Sequence, residues 1–448
     1  MERPRVAIHW FRRDLRLNDN HGLYRALVDH GNVLPLFIFD TNILDRLDDR
    51  HDRRVDLIHR TILAMKAELE KSGASMLVEH GEPISIWREL LGRFDVQAVT
   101  VDHDHEAYSI DRDQAVSDLL RTKGIPFHGY KDISIFERGE VVKDDGGPYT
   151  VFTPYIRKWK ASFRPEMLDP FRSEDLIERY WRASTLPCPT LMDLGFERTN
   201  LVTPPIDVPE DILRSYHLTR DLPALEGTSR MSAHLRFGTV SIRALMRRAM
   251  TLSTLYTNEL IWREFFMQVL WHHPHAKTRA IKPAYDSIPW RNNEEEFKAW
   301  CEARTGYPLV DAGMRELSAT GLMHNRVRMV VASFLTKHLL IDWRWGEAWF
   351  AAKLLDFELS SNNGGWQWAS GSGCDAAPYF RIFNPHLQLK RFDPQLKYVK
   401  RWVPEYGSAN YVQEMVVHEV ARERALKAYK LALKGGAGRT ERQPNLFS

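Results

Sequence analysis

RVAIHWFRRDLRLNDN, residues 5–20, sets the fold class of the first part of the chain. It opens with a β-branched and aromatic run, Arg5–Trp10, typical of a buried parallel strand. No GxGxxG turn follows this run, so the sequence disfavours a dinucleotide held by the usual glycine-rich turn.

Strand-like and helix-like segments alternate from here to about residue 130. Further strands are predicted at Val33–Asp40, Ser75–His80 and Ala98–His103, and helices at Val55–Lys71, Pro83–Phe94 and Ala107–Lys123. Alternation of this kind is typical of βαβ units. Residues 1–130 are therefore predicted to form an α/β domain with a doubly wound parallel sheet.

The remainder of the chain has a different pattern. Residues 131–205 are rich in proline, contain DDGG at 144–147, and are predicted to be a long interdomain connector. Residues 206–434 are predicted to form an all-α domain, with helices at Val240–Thr251, Thr257–Trp271, Glu294–Arg304, Leu309–Thr320, Arg326–Ile341 and Trp345–Glu358. Residues 435–448 are polar and glycine-rich, which predicts a disordered tail.

Composition excludes several protein classes. The 448 residues are 44% hydrophobic and 27% charged, with a net charge of +3, as in an ordinary globular protein. No apolar run approaches the roughly 18 residues of a membrane helix. The N-terminus has no signal-peptide pattern, which predicts a cytoplasmic protein.

Metal and disulfide chemistry are not predicted. The three cysteines, Cys188, Cys301 and Cys374, lie far apart without CxxC spacing, which argues against a structural zinc site or a disulfide framework. HDHE at 103–106 contains metal-ligand residue types but lacks a further ligand segment, so no metal site is predicted.

SSNNGGWQWASGSGCDAAPYFRIFNP, residues 360–385, is a candidate binding segment. Gly364 and Gly365 permit close approach to a flat ligand, and Asn362 and Asn363 offer donors and acceptors to a heteroaromatic ring edge. The alternative is an Asn-Gly turn that joins two helices.

Tryptophan is concentrated in the helical part of the chain. Most of the 14 tryptophans lie at or after residue 262. They either fill a helical core, stack on bases or a flat cofactor, or relay electrons, and spacing does not separate these interpretations.

EGTSRMS, residues 226–232, places hydroxyls and a guanidinium before a predicted helix. This cluster of Thr228, Ser229, Arg230 and Ser232 suits a phosphate group. Ordinary helix N-capping is the alternative.

Two helical segments carry further candidates. In NELIWREF (258–265), Glu259 and Trp262 share one helix face, which suits a nucleobase; a surface pair between Glu259 and Arg263 is the alternative. In HNRVRMVVASF (324–334), Arg328 lies in an apolar helix and is predicted to pair with Asp356.

Basic and aromatic residues interleave between Arg381 and Arg401. Such a stretch suits a phosphate backbone, and the alternative is a solvated loop beside a core helix. The residues are Arg381, Lys390, Arg391, Lys397, Lys400 and Arg401, with Phe383, Phe392, Tyr398 and Trp402.

Together these motifs resemble the photolyase/cryptochrome family. The resemblance runs from WFRRDLRLNDN (10–20) through EGTSRMSAHLRFG (226–238) and NELIWREF to the 360–385 segment, and covers nearly the whole chain up to about Lys430. It implies an α/β domain, a connector and a helical domain that binds FAD non-covalently.

Within the family, bacterial class I cyclobutane pyrimidine dimer (CPD) photolyases are the most similar. This implies blue-light-driven repair of UV-damaged DNA, in which excited FADH− donates an electron to a flipped-out dimer and the electron then returns. The protein is expected to be a monomer.

The resemblance also implies roles for individual residues. Tyr216, Thr228, Ser229, Arg230 and Ser232 would line the FAD phosphates and ribityl chain. Arg328 and Asp356 would flank the isoalloxazine, Asn362 would face its N5, and Asn325 would contact the cofactor as well as the lesion. Trp366, Trp343 and Trp290 would form an electron-transfer chain. Glu259, Trp262, Asn325, Met329 and Trp368 would line the lesion pocket, and Arg381 and Arg401 would bind DNA.

Some positions separate this group from its relatives. Plant-type cryptochromes carry Asp in place of Asn362, and (6-4) photolyases carry histidines in place of Asn325 and Met329, so both differences favour CPD repair. A cryptochrome-type light receptor without repair activity is the alternative. Glu358 and Tyr256 depart from the usual Asp and Trp.

The antenna chromophore and the tail leave alternatives open. Ala276 replaces a cysteine that often precedes Lys277, so methenyltetrahydrofolate, a deazaflavin, a second flavin or no antenna all stay possible. QPNLF at Gln443–Phe447 resembles the short peptide that binds the bacterial sliding clamp. An unremarkable disordered terminus is the alternative.

Overall fold

The computed structural model describes residues 3–436, which form two compact units built from alternating segments. The first unit comprises the residues up to Val141 together with Trp159–Leu213 and Ser229–Glu264. The second comprises Val142–Lys158, Arg214–Thr228 and the residues from Phe265 onward. The domain limits predicted above divide the chain differently, by sequence pattern, and stay a prediction.

A five-stranded parallel sheet is the centre of the first unit. Its strands are β1 (Arg5–Phe11), β2 (Val33–Asp40), β3 (Leu77–Gly81), β4 (Asp95–Asp102) and β5 (Phe127–Tyr130). The order β3-β2-β1-β4-β5, with every neighbouring pair parallel, confirms the predicted doubly wound sheet. The edge strand β5 was missed, because FHGY is short, partly exposed and lacks a β-branched run.

The predicted strands are buried because helices cover both faces of the sheet. Ile8 and Leu34 are fully buried, and Trp10 packs edge-on against Trp87 at 5.6 Å between ring centroids. This produces the continuous hydrophobic runs from which the strands were predicted.

The α-helices are given in chain order. They are α1 (His21–Asp29), α2 (Thr41–Leu44), α3 (Arg53–Glu70), α4 (Pro83–Arg93), α5 (Ala107–Arg121), α6 (Phe152–Ser162), α7 (Glu210–Thr219), α8 (Ser232–Phe237), α9 (Ile242–Leu252), α10 (Thr254–His272), α11 (Glu294–Cys301), α12 (Pro308–Thr320), α13 (Asn325–Ser333), α14 (Trp343–Lys353), α15 (Leu359–Ser370), α16 (Pro385–Phe392), α17 (Lys397–Trp402) and α18 (His418–Gly436). Short 3₁₀ helices occur at Pro165–Leu168, Ser173–Arg179, Pro274–Lys277 and Pro283–Ser287.

Two predicted helices have different limits in the structure. The helix predicted at Arg326–Ile341 is α13 followed by one π-helical turn, Phe334–His338, in which the Leu339 amide donates to the Phe334 carbonyl. The helix predicted at Trp345–Glu358 ends at Lys353, and a new helix, α15, begins at Leu359.

Helix α15 excludes the alternative of an Asn-Gly turn within residues 360–385. Asn362, Asn363, Gly364 and Gly365 all lie inside this helix, although asparagine and glycine have low helix propensity. Tertiary packing decides the outcome: a Cβ at Gly364 would lie 2.2 Å from the ring of Phe266. Close packing therefore requires glycine at this position.

A network of buried charges ties distant segments of the first unit together. Asp132 accepts from Arg16 at 2.5 Å and from Arg243 at 2.7 Å, and Arg243 also contacts Asp19 at 2.9 Å. Ser241 donates to the same Asp19 at 2.5 Å. These groups join the loop after β1, the segment after β5 and helix α9.

Aromatic and aliphatic side chains form the core of the second unit. Trp300, Trp343, Trp366, Tyr307 and Tyr398 are all buried in one cluster. The structure thus confirms the core interpretation for several tryptophans.

The end of the chain is only partly described. Helix α18 runs to Gly436, so the predicted tail begins within a helix, and Gln443–Phe447 lies outside the described residues. Within the described residues, no helix is both long and apolar enough to cross a membrane.

Candidate functional site

Helix α15 holds Asn362 in a fixed orientation. Its amide nitrogen donates to the side-chain oxygen of Glu347 at 2.8 Å and to the Glu347 carbonyl at 3.1 Å, and the residue is buried. Burial raises the pKa of Glu347, and the hydrogen bond from Asn362 opposes this rise. Because Glu347 engages the nitrogen, the carbonyl oxygen of Asn362 is directed to the other side of the amide.

Glu347 was not identified from the sequence. It lies 15 residues before Asn362, on the preceding helix α14. A carboxylate on an apolar helix was the available signal, but only the packing of α14 against α15 identifies its partner.

Two glycines of α14 and α15 have different surroundings. Gly346 lies against Trp366, where a Cβ would approach the indole to 2.1 Å. Gly365 is exposed, and a Cβ there would meet no atom within 4 Å. The open side of α15 at Gly365 therefore fits the predicted close approach of a flat ligand.

Arg328 pairs with Asp356 as predicted. Its Nη2 lies 2.9 and 3.1 Å from the two carboxylate oxygens, and its Nε donates to the Met323 carbonyl at 2.8 Å. Asp356 is buried, whereas Arg328 is half-buried. Glu358 is also buried and accepts from the Ser361 hydroxyl at 3.4 Å.

The three predicted electron-transfer tryptophans have different surroundings. Trp366 is buried and contacts Phe350 and Trp300 edge-on, at 5.0 and 6.2 Å between ring centroids. Trp343 is buried beneath the Arg344 guanidinium, which lies 4.8 Å from its ring. Trp290 is half-buried beside Tyr429, at 6.0 Å. Electron transfer along the three stays a prediction.

Within the TSRMS segment, residues 229–232 belong to the first unit and have the backbone of an anion site. Arg230 adopts a left-handed conformation, with φ of 53°, and Met231 follows at φ −78° and ψ −4°. Successive residues of this kind turn their N–H groups to one side and form a nest for an anion. No side chain caps α8 by a hydrogen bond, so the N-capping interpretation is wrong for this segment.

These observations fit the phosphate groups of FAD. The exposed side chains of Arg230 and Ser232 add donors beside the nest, at the start of α8. In the second unit, Thr228 is half-buried, and so is Tyr216 on α7, whose ring lies 5.5 Å from the Arg220 guanidinium.

Helix α10 carries Glu259 and Trp262, both half-buried. Arg263 donates to the Ile133 and Leu235 carbonyls at 2.7 and 3.1 Å, which anchors the helix within the first unit. Glu264 is fully buried and accepts from the Ile135 amide at 2.5 Å and from the Trp159 indole at 2.6 Å.

Glu264 is a second residue that sequence reasoning missed. Burial raises its pKa to about 7, against hydrogen bonds from Trp159 and the backbone that lower it. Its position between aromatic residues of the WREFF run gives no signal of these long-range partners.

The remaining predicted lesion residues lie on two helices of the second unit. Asn325 is exposed at the start of α13, Met329 is half-buried one turn later, and Trp368 is half-buried on α15. The helices α13 and α15 pack together, which places these residues on neighbouring elements.

The basic stretch is only partly as predicted. Arg381 and Arg401 are exposed, and Arg401 lies 3.7 Å from Glu226. Phe392 and Tyr398 are buried, and Tyr398 donates to Glu316 at 2.6 Å. The predicted interleaving of accessible aromatic rings is therefore wrong for these two residues, because they belong to the core.

Residues of the HDHE segment are engaged in ion pairs with other parts of the first unit. Asp104 contacts Arg13 at 2.9 Å, and His103 contacts Glu137 at 3.0 Å. In the part of the chain that the structure describes, His9, Asp14 and Asp102 are the group spaced closely enough to share an ion. His9 and Asp14 are already hydrogen-bonded, and burial followed by the charge of Asp132 raises the pKa of Asp102 well above its usual value.

Comparison with known proteins decides the family. A family model described as DNA photolyase matches residues 7–174, and one described as the FAD binding domain of DNA photolyase matches residues 256–410. The deoxyribodipyrimidine photo-lyase of Halobacterium salinarum is 36% identical over 433 residues, which cover 89% of each chain. The chain belongs to the photolyase/cryptochrome family.

Solved photolyase structures have the same architecture. The bacterial class III photolyase of Agrobacterium tumefaciens superimposes with a TM-score of 0.84 at 33% identity, covering 97% of this chain and 98% of that one. The archaeal photolyase of Sulfolobus tokodaii, solved with two FAD molecules, gives 0.79 at 32% identity and covers 95% and 100%. The predicted family, fold class and FAD-binding domain are confirmed, whereas class I membership stays a prediction.

Proposed function

We propose that this photolyase-family chain splits cyclobutane pyrimidine dimers in UV-damaged DNA, driven by blue light. The orientation of Asn362, whose amide nitrogen is engaged by Glu347, carries the proposal. An asparagine held in this way offers a neutral carbonyl to the flavin, where plant-type cryptochromes carry Asp. Relatives named deoxyribodipyrimidine photo-lyase, at 36% and 34% identity over most of the chain, support it.

Two groups of residues are proposed to hold FAD. Tyr216, Thr228, Ser229, Arg230 and Ser232 would hold the phosphates and ribityl chain, and Arg328, Asp356, Asn325 and Asn362 would surround the ring system. When bound, reduced and excited by blue light, FAD supplies the electron that weakens both bonds of the dimer, and the electron then returns.

The chain's own residues would position the dimer. Glu259 would hold a hydrogen bond to a dimer carbonyl, and Trp262, Met329 and Trp368 would pack on its rings and exclude water. Asn325 would contact its polar edge. A distorted lesion is cheaper to flip out of the duplex than paired bases, which gives selectivity without recognition of sequence.

Two further sets of residues would support repair. Trp366, Trp343 and Trp290 would relay electrons between the flavin site and the surface. The exposed Arg381 and Arg401 would bind backbone phosphates, with the salt dependence that such contacts bring.

Product analysis after illumination tests the proposal. Two oligonucleotides, one with a defined CPD and one with a (6-4) lesion, are incubated with the reduced holoprotein in blue light and in the dark. Light-dependent recovery of thymines from the CPD strand alone is expected. Failure on both strands, with reduced flavin bound, would favour a cryptochrome-type receptor.

We also propose a cytoplasmic monomer with a possible antenna of unassigned identity: methenyltetrahydrofolate, a deazaflavin or a flavin. Light scattering coupled to gel filtration tests the oligomeric state, and extraction of bound chromophores identifies the antenna. A dimer would contradict the proposed monomer, whereas FAD alone in the extract would decide for the alternative without an antenna.

The tail segment Gln443–Phe447 is proposed to bind a sliding clamp. Leu446 and Phe447 supply the apolar anchors of a short linear peptide. Clamp binding is expected to disappear on Leu446→Ala with Phe447→Ala. An intact tail peptide that does not bind at high concentration would contradict the proposal.

A further inference from the structure

Tyr256 forms a partly buried hydrogen bond to the segment with the anion-site backbone. It lies in the first turn of α10 and is 3% exposed, and its hydroxyl donates to Ser229 Oγ at 2.9 Å. Both residues belong to the first compact unit.

Ser229 Oγ receives a second donor from its own segment. The backbone N–H of Met231 points at the same oxygen, at 3.4 Å. A serine hydroxyl has two acceptor lone pairs and one proton to donate. With both lone pairs facing N–H and O–H donors, Ser229 presents its proton to any further partner.

The residues beside Ser229 make an anion the matching partner. Arg230 and Ser232, the exposed residues on either side of Met231, carry further hydrogen-bond donors beside the Ser229 hydroxyl. A hydroxyl oriented as a donor adds to these donors, whereas one oriented as an acceptor would oppose the anion.

We propose that Tyr256 is a positioning residue for the phosphate groups of FAD, acting by turning the Ser229 hydroxyl into an obligate donor. The inference rests on the proposed function, because it assumes that the TSRMS segment holds the FAD phosphates. Tyr256 itself need not contact the cofactor. The effect is therefore on the phosphate part of FAD and not on its ring system.

The test compares the affinities of the purified apoprotein for FAD and riboflavin. Tyr256→Phe keeps the ring and removes the hydroxyl, and about a tenfold rise in the FAD dissociation constant is expected, in line with one buried hydrogen bond. Binding of riboflavin, which has no phosphate, is expected to stay within twofold. Equal weakening of both ligands would overturn the proposal.

Tyr307→Phe is the matched control. Tyr307 is fully buried and its hydroxyl donates to the Val416 carbonyl at 2.8 Å, so the variant loses the same group elsewhere. Its FAD affinity is expected to be unchanged. A tenfold loss in this control would show that removal of any buried hydroxyl weakens FAD binding, and would overturn the specific role.

A double-mutant cycle with Ser229→Ala tests whether Tyr256 acts on FAD binding through Ser229. In the Ser229→Ala background, Tyr256→Phe is expected to change the FAD dissociation constant by less than twofold. A full tenfold effect there would mean that Tyr256 acts without Ser229, which contradicts the proposal. Should Tyr256→Phe fail to fold, Ser229→Ala alone must weaken FAD more than riboflavin.

Failure of the proposed function gives a different result. If the wild-type chain binds no FAD, the assignment of the cofactor is wrong. If it binds FAD and repairs CPDs but Tyr256→Phe binds FAD normally, only the role of Tyr256 is wrong.

Discussion

Two buried clusters, one in each compact unit, are made of different kinds of side chain. In the first, Asp132 lies between Arg16 and Arg243 with almost no exposure, and Arg243 also pairs with Asp19. In the second, the largest cluster is aromatic and aliphatic, with Trp300 and Trp366 at its centre. Buried charges demand fixed partners, whereas apolar surfaces contribute in proportion to area. The charge network therefore depends on exact pairing, whereas the aromatic cluster depends on shape.

Removing Asp132, which two arginines of the charge network share, is expected to have the largest effect on the free energy of unfolding. Asp132→Ala removes the carboxylate that two buried guanidiniums share, which is expected to lower the free energy of unfolding by about 3–5 kcal/mol. Urea denaturation followed by circular dichroism measures this. Glu68→Ala, which breaks the exposed pair with Lys71, is the control, with a loss below about 1 kcal/mol. Similar losses in both variants would contradict the comparison.

The pH dependence of the unfolding free energy is expected to have opposite signs for one buried group in each unit. In the first, the pKa of Glu264 rises from 4.5 to about 7, so the folded state holds the proton more tightly. This contribution is fully present below pH 4.5 and is lost as the pH rises through 7. It amounts to no more than about 3 kcal/mol. Glu264→Gln is expected to flatten the pH dependence of the unfolding free energy between these values.

His338 is the corresponding group of the second unit. Burial, then the charges of His418 and Arg424, lower its pKa from 6.5 to about 3. Its contribution is present above pH 6.5 and is lost as the pH falls toward 3, because the unfolded state binds the proton more readily. His338→Gln is expected to improve retention of structure at pH 4 relative to pH 7. A steeper acid loss in this variant would contradict the assignment.

Crowding the aromatic cluster tests the importance of shape. Gly346→Ala would place a methyl group 2.1 Å from Trp366, and overpacking is expected to cost about 1–3 kcal/mol. Thermal unfolding and the fluorescence of the buried indoles report the change. Gly92→Ala, where no atom lies within 4 Å of the added Cβ, is the matched control and is expected to be neutral or slightly stabilising.

The smallest predicted effect separates stability from ligand binding at Gly365. Gly365→Ala adds a methyl group to an open helical position, so the apoprotein is expected to gain about 0.5–1 kcal/mol. If a flat ligand approaches α15 there, FAD affinity falls at the same time. Titration of the apoprotein with FAD measures the second effect, and unchanged affinity would remove Gly365 from the site.

The sequence predicted the features that depend on local pattern. Four of the five strands follow from buried β-branched runs, and Arg328–Asp356 follows from one arginine in an apolar helix. The strand β5 was missed because an edge strand needs no such run. Asn362 was identified as a candidate, but its partner Glu347 depends on how two helices pack.

Tertiary contacts account for the remaining differences. Asparagines and glycines of α15 favour a turn locally, and the ring of Phe266 against Gly364 outweighs that preference. Phe392 and Tyr398 alternate with basic residues in sequence but face the core. Asp132, Arg16 and Arg243 are so far apart along the chain that no local pattern relates them.

The π-helical turn at Phe334–His338 has a consequence for sequence comparison. A turn of this kind holds one more residue than an α-helical turn, and here it ends the helix, because Leu340 follows it with a left-handed φ of 52°. A relative with one residue fewer at this position is expected to have an unbroken α-helix there, with the same residues before and after. A one-residue gap within 334–338 would then mark a change of helix type, and numbering beyond it would shift by one without any shift of the site.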